Sequence, residues 1–344
     1  MRWLATYLLV LLSTIVFAQD IHFVQFTETP QLINPGLTGV FEGNVRVIVN
    51  YRDQWATVDA PYRTFGLNYD HRIVPKKFKK KASLAVGVAA YRDDAGDLGL
   101  QTTSGVISIA STLNLTREQF VTVGIQGGIL YRGVDMTNAI WGSQYDGDNY
   151  DPTVSSGETS DFNTFISPDV SLGFSWNLKK PNGFGPFRDF QVRAGTGLFH
   201  LNRPKQKFNL GESDRLQMRW TLHADAMMGV GSGRGYIVPM FLFQMQGPST
   251  EATFGALYRF LFKDAARVTG FVKGGALSMG ATYRWGDAIT PMLAVEYLFL
   301  RLGVNYDVNI SKLSRATGFQ GGLEVSLKFT ISDAFYYTGR QSKK

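Results

Sequence analysis

The stretch that decides the fold is residues 44–55, which read NVRVIVNYRDQW. Apolar residues occupy every second position, and polar or charged residues stand between most of them. The apolar set is Val45, Val47, Val49 and Tyr51, and the polar set is Asn44, Arg46, Asn50 and Arg52. Because successive side chains of a β-strand point to opposite faces, this stretch predicts a strand with one apolar and one charged face.

The same period of two recurs along the chain and predicts about fourteen strands. Their approximate bounds are 43–54, 62–73, 82–93, 101–114, 119–133, 163–178, 188–201, 215–230, 235–246, 250–262, 274–286, 289–299, 300–310 and 318–330. An even strand number is usual in bacterial single-chain barrels of the outer membrane. The pattern does not define the strand boundaries between residues 262 and 290, because glycine-rich strands fix their register poorly.

Alternating faces also fit a soluble β-sandwich, so three further features decide between the two architectures. The polar face carries many full charges, as a wet interior requires. The strands are about twice the usual sandwich length of five or six residues and match the roughly 9–11 that a tilted membrane strand needs. Aromatic residues lie near strand ends, as in an interfacial girdle: Trp55, Tyr131, Trp176 and Trp285. The sequence therefore predicts an all-β, antiparallel, up-and-down transmembrane β-barrel.

Composition excludes several classes of function. The 344 residues include no cysteine, which removes thiolate metal sites, cysteine nucleophiles and disulfide frameworks. A net charge of +7 is too small for the concentrated basic face of a nucleic-acid-binding protein. A mean hydropathy of −0.08 is too low for a bundle of transmembrane helices.

The N-terminus has the pattern of a secretory signal peptide. Arg2 precedes an apolar run from Leu4 to Val16, and a small-residue cleavage site ends at Ala18. We therefore predict a signal peptide at 1–18, a periplasmic segment at 19–42, the barrel at 43–330 and a periplasmic tail at 331–344. With both barrel ends in the periplasm, the two longest connections, 134–162 and 202–214, both face the outside, as in known barrels.

No motif indicates catalysis, a cofactor or a bound metal, and we predict that the chain is not an enzyme. The four histidines, isolated in sequence, are His22, His71, His200 and His223. His71 falls on the outward face, and His223 is a candidate partner for the nearby carboxylate of Asp225, although Thr221 is a poor nucleophile beside them. Residues 146–151 superficially resemble a calcium loop, but a polar loop is the simpler interpretation.

Charged residues of the first two and the last two predicted strands face the barrel interior. Barrel closure makes these strands neighbours, so we predict a network that fills part of the lumen. Its members are Arg46, Arg52, Asp70, Arg72, Asp307, Glu324 and Lys328. Such a network either stabilises the barrel, since buried charges must pair, or binds a transported ligand.

A series of motifs resembles the PorP/SprF family of Bacteroidetes outer-membrane proteins. It begins with QLINPG at 31–36, which contains Asn34 and Pro35, and continues with YRDQW at 51–55, which contains Gln54 and Trp55. His200-Leu201 with Pro204, the Tyr-Arg pairs at 258 and 283, and NYD at 305–307 follow in the same order. The chain departs from the family pattern after Phe329, where it continues to Lys344.

The resemblance implies a non-enzymatic outer-membrane component of the type IX secretion system, with no cofactor. Partners implied in this way are a secreted adhesin, for example a gliding adhesin, or other cargo with a type IX C-terminal domain, the periplasmic or lipoprotein parts of the machinery, and outer-membrane lipid. The luminal charges, together with Asn34, Pro35, Gln54, Trp55 and His200, are the candidate partner-binding residues. An alternative function is a porin or transporter that passes small solutes.

Two regions outside the strands are further candidates. Lysines cluster in the turn after the second strand, at Lys76, Lys77, Lys79, Lys80 and Lys81. This basic patch either meets anionic lipid headgroups or docks an acidic periplasmic partner. Residues 25–41 have an extended, proline-bearing sequence that suits a plug across the barrel or an arm for a partner.

Overall fold

The computed structural model describes residues 20–55, 61–73, 81–96, 99–134, 140–145, 147, 149–157, 164–206, 214–231, 233–263, 274–311 and 320–331. These residues form a closed β-barrel of fourteen strands, in which each strand pairs with antiparallel neighbours. The predicted fold and strand number are confirmed. The predicted signal peptide and all but the first residue of the predicted C-terminal tail lie outside the described residues.

The described residues contain sixteen strands in chain order, fourteen in the barrel and two in a separate hairpin. The barrel strands are β1 (Val45–Gln54), β2 (Tyr62–Ile73), β3 (Ala82–Ala95), β4 (Leu100–Asn114), β5 (Gln119–Gly133), β6 (Phe165–Lys180), β7 (Arg188–Phe199), β10 (Arg219–Val230), β11 (Gly235–Gln246), β12 (Ser249–Lys263), β13 (Gly275–Arg284), β14 (Ala288–Tyr297), β15 (Leu300–Asn309) and β16 (Gln320–Ile331). The hairpin of β8 (Lys205–Gln206) and β9 (Asp214–Arg215) lies in the connection between β7 and β10.

Pairing between the first and last strands closes the barrel. β1 aligns with β16 over their length, from Val45 opposite Ile331 to Gln54 opposite Gly322. Backbone groups in hydrocarbon have no water to bond, so a sheet in a membrane is stable only when its edges meet.

The two rims of the barrel differ. We call the rim at which β1 begins and β16 ends the base, and the opposite rim the mouth. The strands run antiparallel to their neighbours, so the two longest connections, between β5 and β6 and between β7 and β10, both emerge at the mouth. Among the described residues, no helix is long and apolar enough to cross a membrane.

The outer surface of the barrel is apolar. Ile107, Ile125 and Val88 each expose half or more of their surface on the outward face of mid-barrel strands. At the mouth, Trp285 is 72% exposed and packs against Phe254 and Tyr283. An aromatic cluster at this level is typical of the membrane interface.

The N-terminal segment, residues 20–44, lies inside the barrel. A 3₁₀ turn at Phe26–Glu28 is followed by the single helical turn α1 (Pro30–Ile33) and by a second 3₁₀ turn at Pro35–Leu37. A third 3₁₀ turn, Gly142–Gln144, lies in the long connection at the mouth. The helical turns correct the expectation of an extended backbone at 25–41: Pro30 and Pro35 each begin a turn, where a missing N–H costs nothing.

If lipid surrounds the barrel, a charge at its mid-height is costly. We expect Ile107→Lys to lower the free energy of unfolding by about 2–4 kcal/mol, and Thr103→Lys, on the same face of β4 but nearer the mouth, by about 0–1 kcal/mol. Urea titration of tryptophan fluorescence in lipid vesicles measures both. Equal effects of the two substitutions would contradict the membrane placement.

Candidate functional site: the filled lumen

The N-terminal segment crosses the lumen from the mouth to the base. Asp20 lies beside His200 at the mouth, and Glu28 lies beside Lys328 near the base. The chain then turns back to mid-barrel, where Asn34 contacts Phe174, and it descends again to enter β1 at Val45. The segment therefore fills the space that an open porin leaves to water.

An ionic cluster holds the segment at the mouth. The His200 imidazole lies between two carboxylates, with Nε2 2.5 Å from Asp20 Oδ2 and Nδ1 2.9 Å from Asp169 Oδ1. Arg132 and Arg219 each place a guanidinium nitrogen 3.6 Å from Asp20. All five side chains are largely buried, so the charges neutralise one another away from solvent.

The cluster shifts the protonation of its own members. Burial alone would lower the pKa of His200, but the negative charges and hydrogen bonds of Asp20 and Asp169 raise it to about 9. Burial alone would raise the pKa of Asp20, whereas His200, Arg219 and Arg132 lower it well below its ordinary range. At neutral pH the cluster therefore contains an imidazolium and a carboxylate.

Side chains of the barrel wall bind the backbone of residues 20–25. Arg52 donates to the His22 carbonyl at 2.9 Å. The Glu324 carboxylate accepts from the amides of Val24 and Gln25 at 2.8 and 2.9 Å. The Gln246 side chain accepts from the Asp20 amide at 3.2 Å. A buried stretch of backbone without strand partners thus obtains hydrogen bonds from the wall.

Two apolar clusters pack the segment against opposite parts of the wall. Phe23 contacts Ala89, Tyr91 and Val106 of β3 and β4. Phe26 and Ile33 pack with three apolar residues of β11 and β12, namely Met240, Leu242 and Leu257. Burial of the Phe23 and Phe26 side chains stabilises the segment in the lumen by roughly 1.5–3 kcal/mol each.

A second ionic cluster lies near the base. Glu28 is 2.9 Å from Lys328 and 3.3 Å from Arg301. Nearby, Arg46 forms an ion pair with Asp70, whose carboxylate also accepts from the Gly39 amide at 2.8 Å. The segment is therefore bound by charge at both ends of its path.

The turn at Asn34 packs against a wall of glycines. The Asn34 amide donates to the Phe174 carbonyl and lies 2.9 Å from His223 Nε2, and its oxygen accepts from the Gly36 amide. We call the lumen-facing set around this turn the glycine bay: Gly124, Gly173, Gly195 and Gly197. A methyl group at any of these positions would overlap the turn or the neighbouring strand, so glycine is required for this close approach.

The predicted luminal charges form separate groups, and several bind the N-terminal segment. Arg52 and Arg284 both pair with Asp307, at 3.2 and 3.1 Å. Arg72 donates to the carbonyl of Phe41. The contacts of the other members are those given above: Arg46 with Asp70, Glu324 with the segment backbone, and Lys328 with Glu28.

The remaining candidates are distributed over the fold. Pro35 is buried at the start of its 3₁₀ turn. Gln54 ends β1 opposite Gly322, and Trp55 has a φ of +58° and packs edge-on against Tyr62. Of the basic patch, Lys81 is described and exposed at the base. Lys76, Lys77, Lys79 and Lys80 lie outside the described residues.

The proposed pair of His223 and Asp225 is corrected by the structure. His223 contacts Asn34 instead, and Asp225 pairs with Arg193 at 2.8 Å. The alternation of the strand explains this outcome, because both side chains face the lumen and each meets a different neighbour. In the parts of the chain that the structure describes, no group of acidic or histidine residues is arranged to hold a metal ion. Asp146 and Asp148 of the candidate calcium loop are outside those parts.

Sequence reasoning missed Asp20, Glu28, Arg132, Arg219 and the glycine bay. Nothing near the charged residues of the segment indicates their ion-pair partners, because those partners lie far away in the chain. The glycines did give a local signal, since they occupy lumen-facing positions of β5, β6 and β7 where polar side chains are the rule.

Comparison with known proteins identifies the family. The model of the type IX secretion system membrane protein PorP/SprF matches residues 15–329. The chain belongs to this family. The assignment from the sequence motifs is confirmed, and so is the prediction that the chain is not an enzyme, because the family is non-enzymatic. The barrel is a component of the outer membrane, as predicted, and membership implies partners among the secretion machinery.

Solved structures resemble this barrel only distantly. BamA from Haemophilus ducreyi has a TM-score of 0.42 at 11% identity, covering 84% of this chain and 70% of that one. CdiB from Acinetobacter baumannii has a TM-score of 0.45 at 8% identity, covering 83% and 60%. The CymD monoaromatic hydrocarbon channel has a TM-score of 0.45 at 10% identity, covering 89% and 94%. A search of curated proteins finds no match.

The glycine bay can be tested by a matched pair on one strand. Gly124 of β5 faces the Asn34 turn, whereas Gly127 faces outward with nothing near its Cβ position. We expect Gly124→Ala to lower the free energy of unfolding by about 1–3 kcal/mol through overpacking and to expose the N-terminal segment to protease. Gly127→Ala should change neither measurement. Equal behaviour of the two variants would contradict the packing of the turn.

The mouth cluster makes stability depend on pH. The raised pKa of His200 means that its contribution is complete below about pH 6.5 and is lost as pH rises through about 9. We expect the free energy of unfolding of the native chain, measured by urea titration, to fall by at most about 3 kcal/mol between pH 7 and pH 9.5. His200→Gln should be less stable at pH 7 and should lack this dependence. A parallel fall in both proteins would show that another group titrates.

Proposed function

We propose that this barrel supports the secretion or cell-surface attachment of one particular partner, a secreted protein with a type IX C-terminal domain such as a gliding adhesin. The partner binds at the mouth, and the base faces the periplasm and meets the machinery. No covalent bond is made or broken. The observation that carries the proposal is the filled lumen of a barrel that belongs to a secretion family.

The filled lumen favours a receptor or anchor over a solute channel. Lumen-facing polar side chains at mid-barrel, such as Asn50, Asn68 and Thr221, have no exposed surface. A barrel of fourteen strands contains a water-filled channel only when no part of the protein fills its interior. While residues 20–44 occupy the interior, the mouth and the base are the surfaces that partners can reach.

The mouth carries the two longest connections of the barrel. The connection between β5 and β6 contains a folded loop, in which the buried Gln144 side chain bonds the Trp141 amide and the Val154 carbonyl. Ile140, beside this loop, is 73% exposed. Tyr145, Tyr150 and Val154 of the same connection are also exposed, and several exposed apolar side chains on one mouth loop support contact with another protein.

Gene deletion and complementation test the proposal. We expect a deletion strain to lose one surface protein, by at least tenfold on immunofluorescence and immunoblots, while other type IX cargo is still secreted. The native chain should restore that protein. Normal display of every type IX cargo would contradict the proposal. Loss of all cargo would contradict the cargo-specific role and indicate a core part of the machine.

The basic patch is proposed as a docking point for an acidic periplasmic partner. We expect replacement of its five lysines by Glu to abolish recovery of the partner from gently solubilised membranes and to lower cargo display, because like charges repel. Replacement of the same lysines by Gln should have an intermediate effect. If the Glu variant recovers the same proteins and displays cargo normally, the patch serves lipid headgroups instead.

A further inference from the structure

The lumen wall has the features of a peptide-binding groove. The contacts of residues 20–25 with Arg52, Glu324 and Gln246 all reach main-chain N–H and C=O groups. Main-chain groups are common to every peptide, so this part of the recognition tolerates different sequences. Side-chain pockets at fixed intervals then provide specificity, as in other modes of extended-peptide binding.

The pockets define the side chains that the groove accepts. An acid at the first position meets His200, Arg132 and Arg219 at the mouth. Aromatic residues at the fourth and seventh positions enter the two apolar clusters. An acid at the ninth position meets the base cluster. In this chain the four positions are Asp20, Phe23, Phe26 and Glu28.

Residues 20–28 belong to no strand of the barrel, so their release would break no backbone pairing of the wall. They precede the Asn34 turn, and that turn stays anchored in the glycine bay by its own hydrogen bonds. The predicted cleavage after Ala18 makes Asp20 the second residue of the secreted chain. An end of a chain that is held only by side-chain contacts is free to exchange, whereas a barrel strand is not.

The groove also has more hydrogen-bonding groups than the segment uses. Gln25 contacts Asn305 and Ser326, but both side-chain polar atoms of the fully buried Asn50, which is opposite Ser326, have no hydrogen-bond partner among the described residues. Near the mouth, Gln244 Oε1 is buried and likewise unpaired within the described part of the chain. Buried polar groups without a protein partner are rare, and these atoms are available to bond the main chain of a peptide that runs past them.

We propose that the lumen is a binding site for an extended peptide of a secreted partner, and that residues 20–28 occupy this site until the partner displaces them. The peptide has an acidic residue at each end and two aromatic or large aliphatic residues between, at the spacing of Asp20, Phe23, Phe26 and Glu28. This inference deepens the proposed function and rests on it for the identity of the partner.

A labelled peptide of sequence DIHFVQFTE, identical to residues 20–28, tests the site on the full-length chain in detergent. A tethered segment has an effective concentration in the millimolar range, so the native chain should bind the peptide weakly. Phe26→Ser in the chain weakens the internal competitor, and we expect its affinity for the peptide, measured by fluorescence anisotropy, to be at least tenfold higher. Phe65→Ser, on the lipid-facing surface, is the matched control and should bind like the native chain.

Specificity and folding are checked with the same samples. A peptide with both phenylalanines replaced by serine should bind Phe26→Ser at least tenfold more weakly than the original. Retained heat-dependent migration on gels shows that the barrel is folded. If Phe26→Ser does not fold, Asp20→Asn weakens the mouth contact instead. Equal affinity of the two peptides for a folded, weakened chain, or no gain over the native chain, would overturn the proposal.

A reversible lock provides an independent test, since the chain has no cysteine of its own. A Cβ added at Gly303 would lie 3.3 Å from Cδ of Gln25. Cysteines at these two positions can therefore be bridged through two disulfides by a short bis-methanethiosulfonate, which releases methanesulfinate from each end. In the Phe26→Ser background, the bridged chain should lose peptide binding at least tenfold and regain it on reduction. Unchanged binding in the bridged state would overturn the inference.

The outcome separates this inference from the proposed function. The binding assay contains neither cargo nor secretion machinery, so its failure overturns the peptide site alone. Conversely, a deletion strain with normal display of all cargo would remove the proposed role and leave the measured peptide affinity unaffected.

Discussion

A strand in hydrocarbon must bond all of its backbone groups to other strands, and this requirement determines the outer half of the molecule. It closes β1 onto β16 and makes the side chains alternate between lipid and lumen. The closed wall then creates a second requirement. Arg46, Arg52, Asp70 and Glu324 all face an interior in which each charge must find a partner. The N-terminal segment supplies many of these partners and is in turn held by them.

The segment resembles a bound ligand more than a structural core. Side chains from β1, β11 and β16 provide hydrogen bonds to its backbone. Its turn packs against wall positions where glycine leaves room for it. The ion pairs at the mouth and at the base fix where the segment lies. They add less to net stability, because the desolvation of the charges offsets much of their attraction. The apolar contacts of Phe23 and Phe26 provide the larger part of the affinity.

The sequence predicts the wall of this barrel well and its interior poorly, for a physical reason. A strand reveals its faces locally, so residues 44–55 alone indicate an amphipathic strand, and the spacing of such stretches gives the strand number. The path of residues 20–44 depends on partners far along the chain: Glu324 lies 300 residues from Val24, and His223 lies 189 from Asn34. Nothing in the segment indicates them. The predicted pair of His223 and Asp225 failed for the same reason.

The single-channel conductance of the purified protein in planar bilayers shows whether the chain closes its own barrel. A lumen filled from the Asp20 cluster to the Glu28 cluster passes few ions, so we expect no large, steady channel openings. Large and stable conductance steps from the folded native chain would contradict this expectation, because an empty barrel of fourteen strands is wide enough for a water-filled pore.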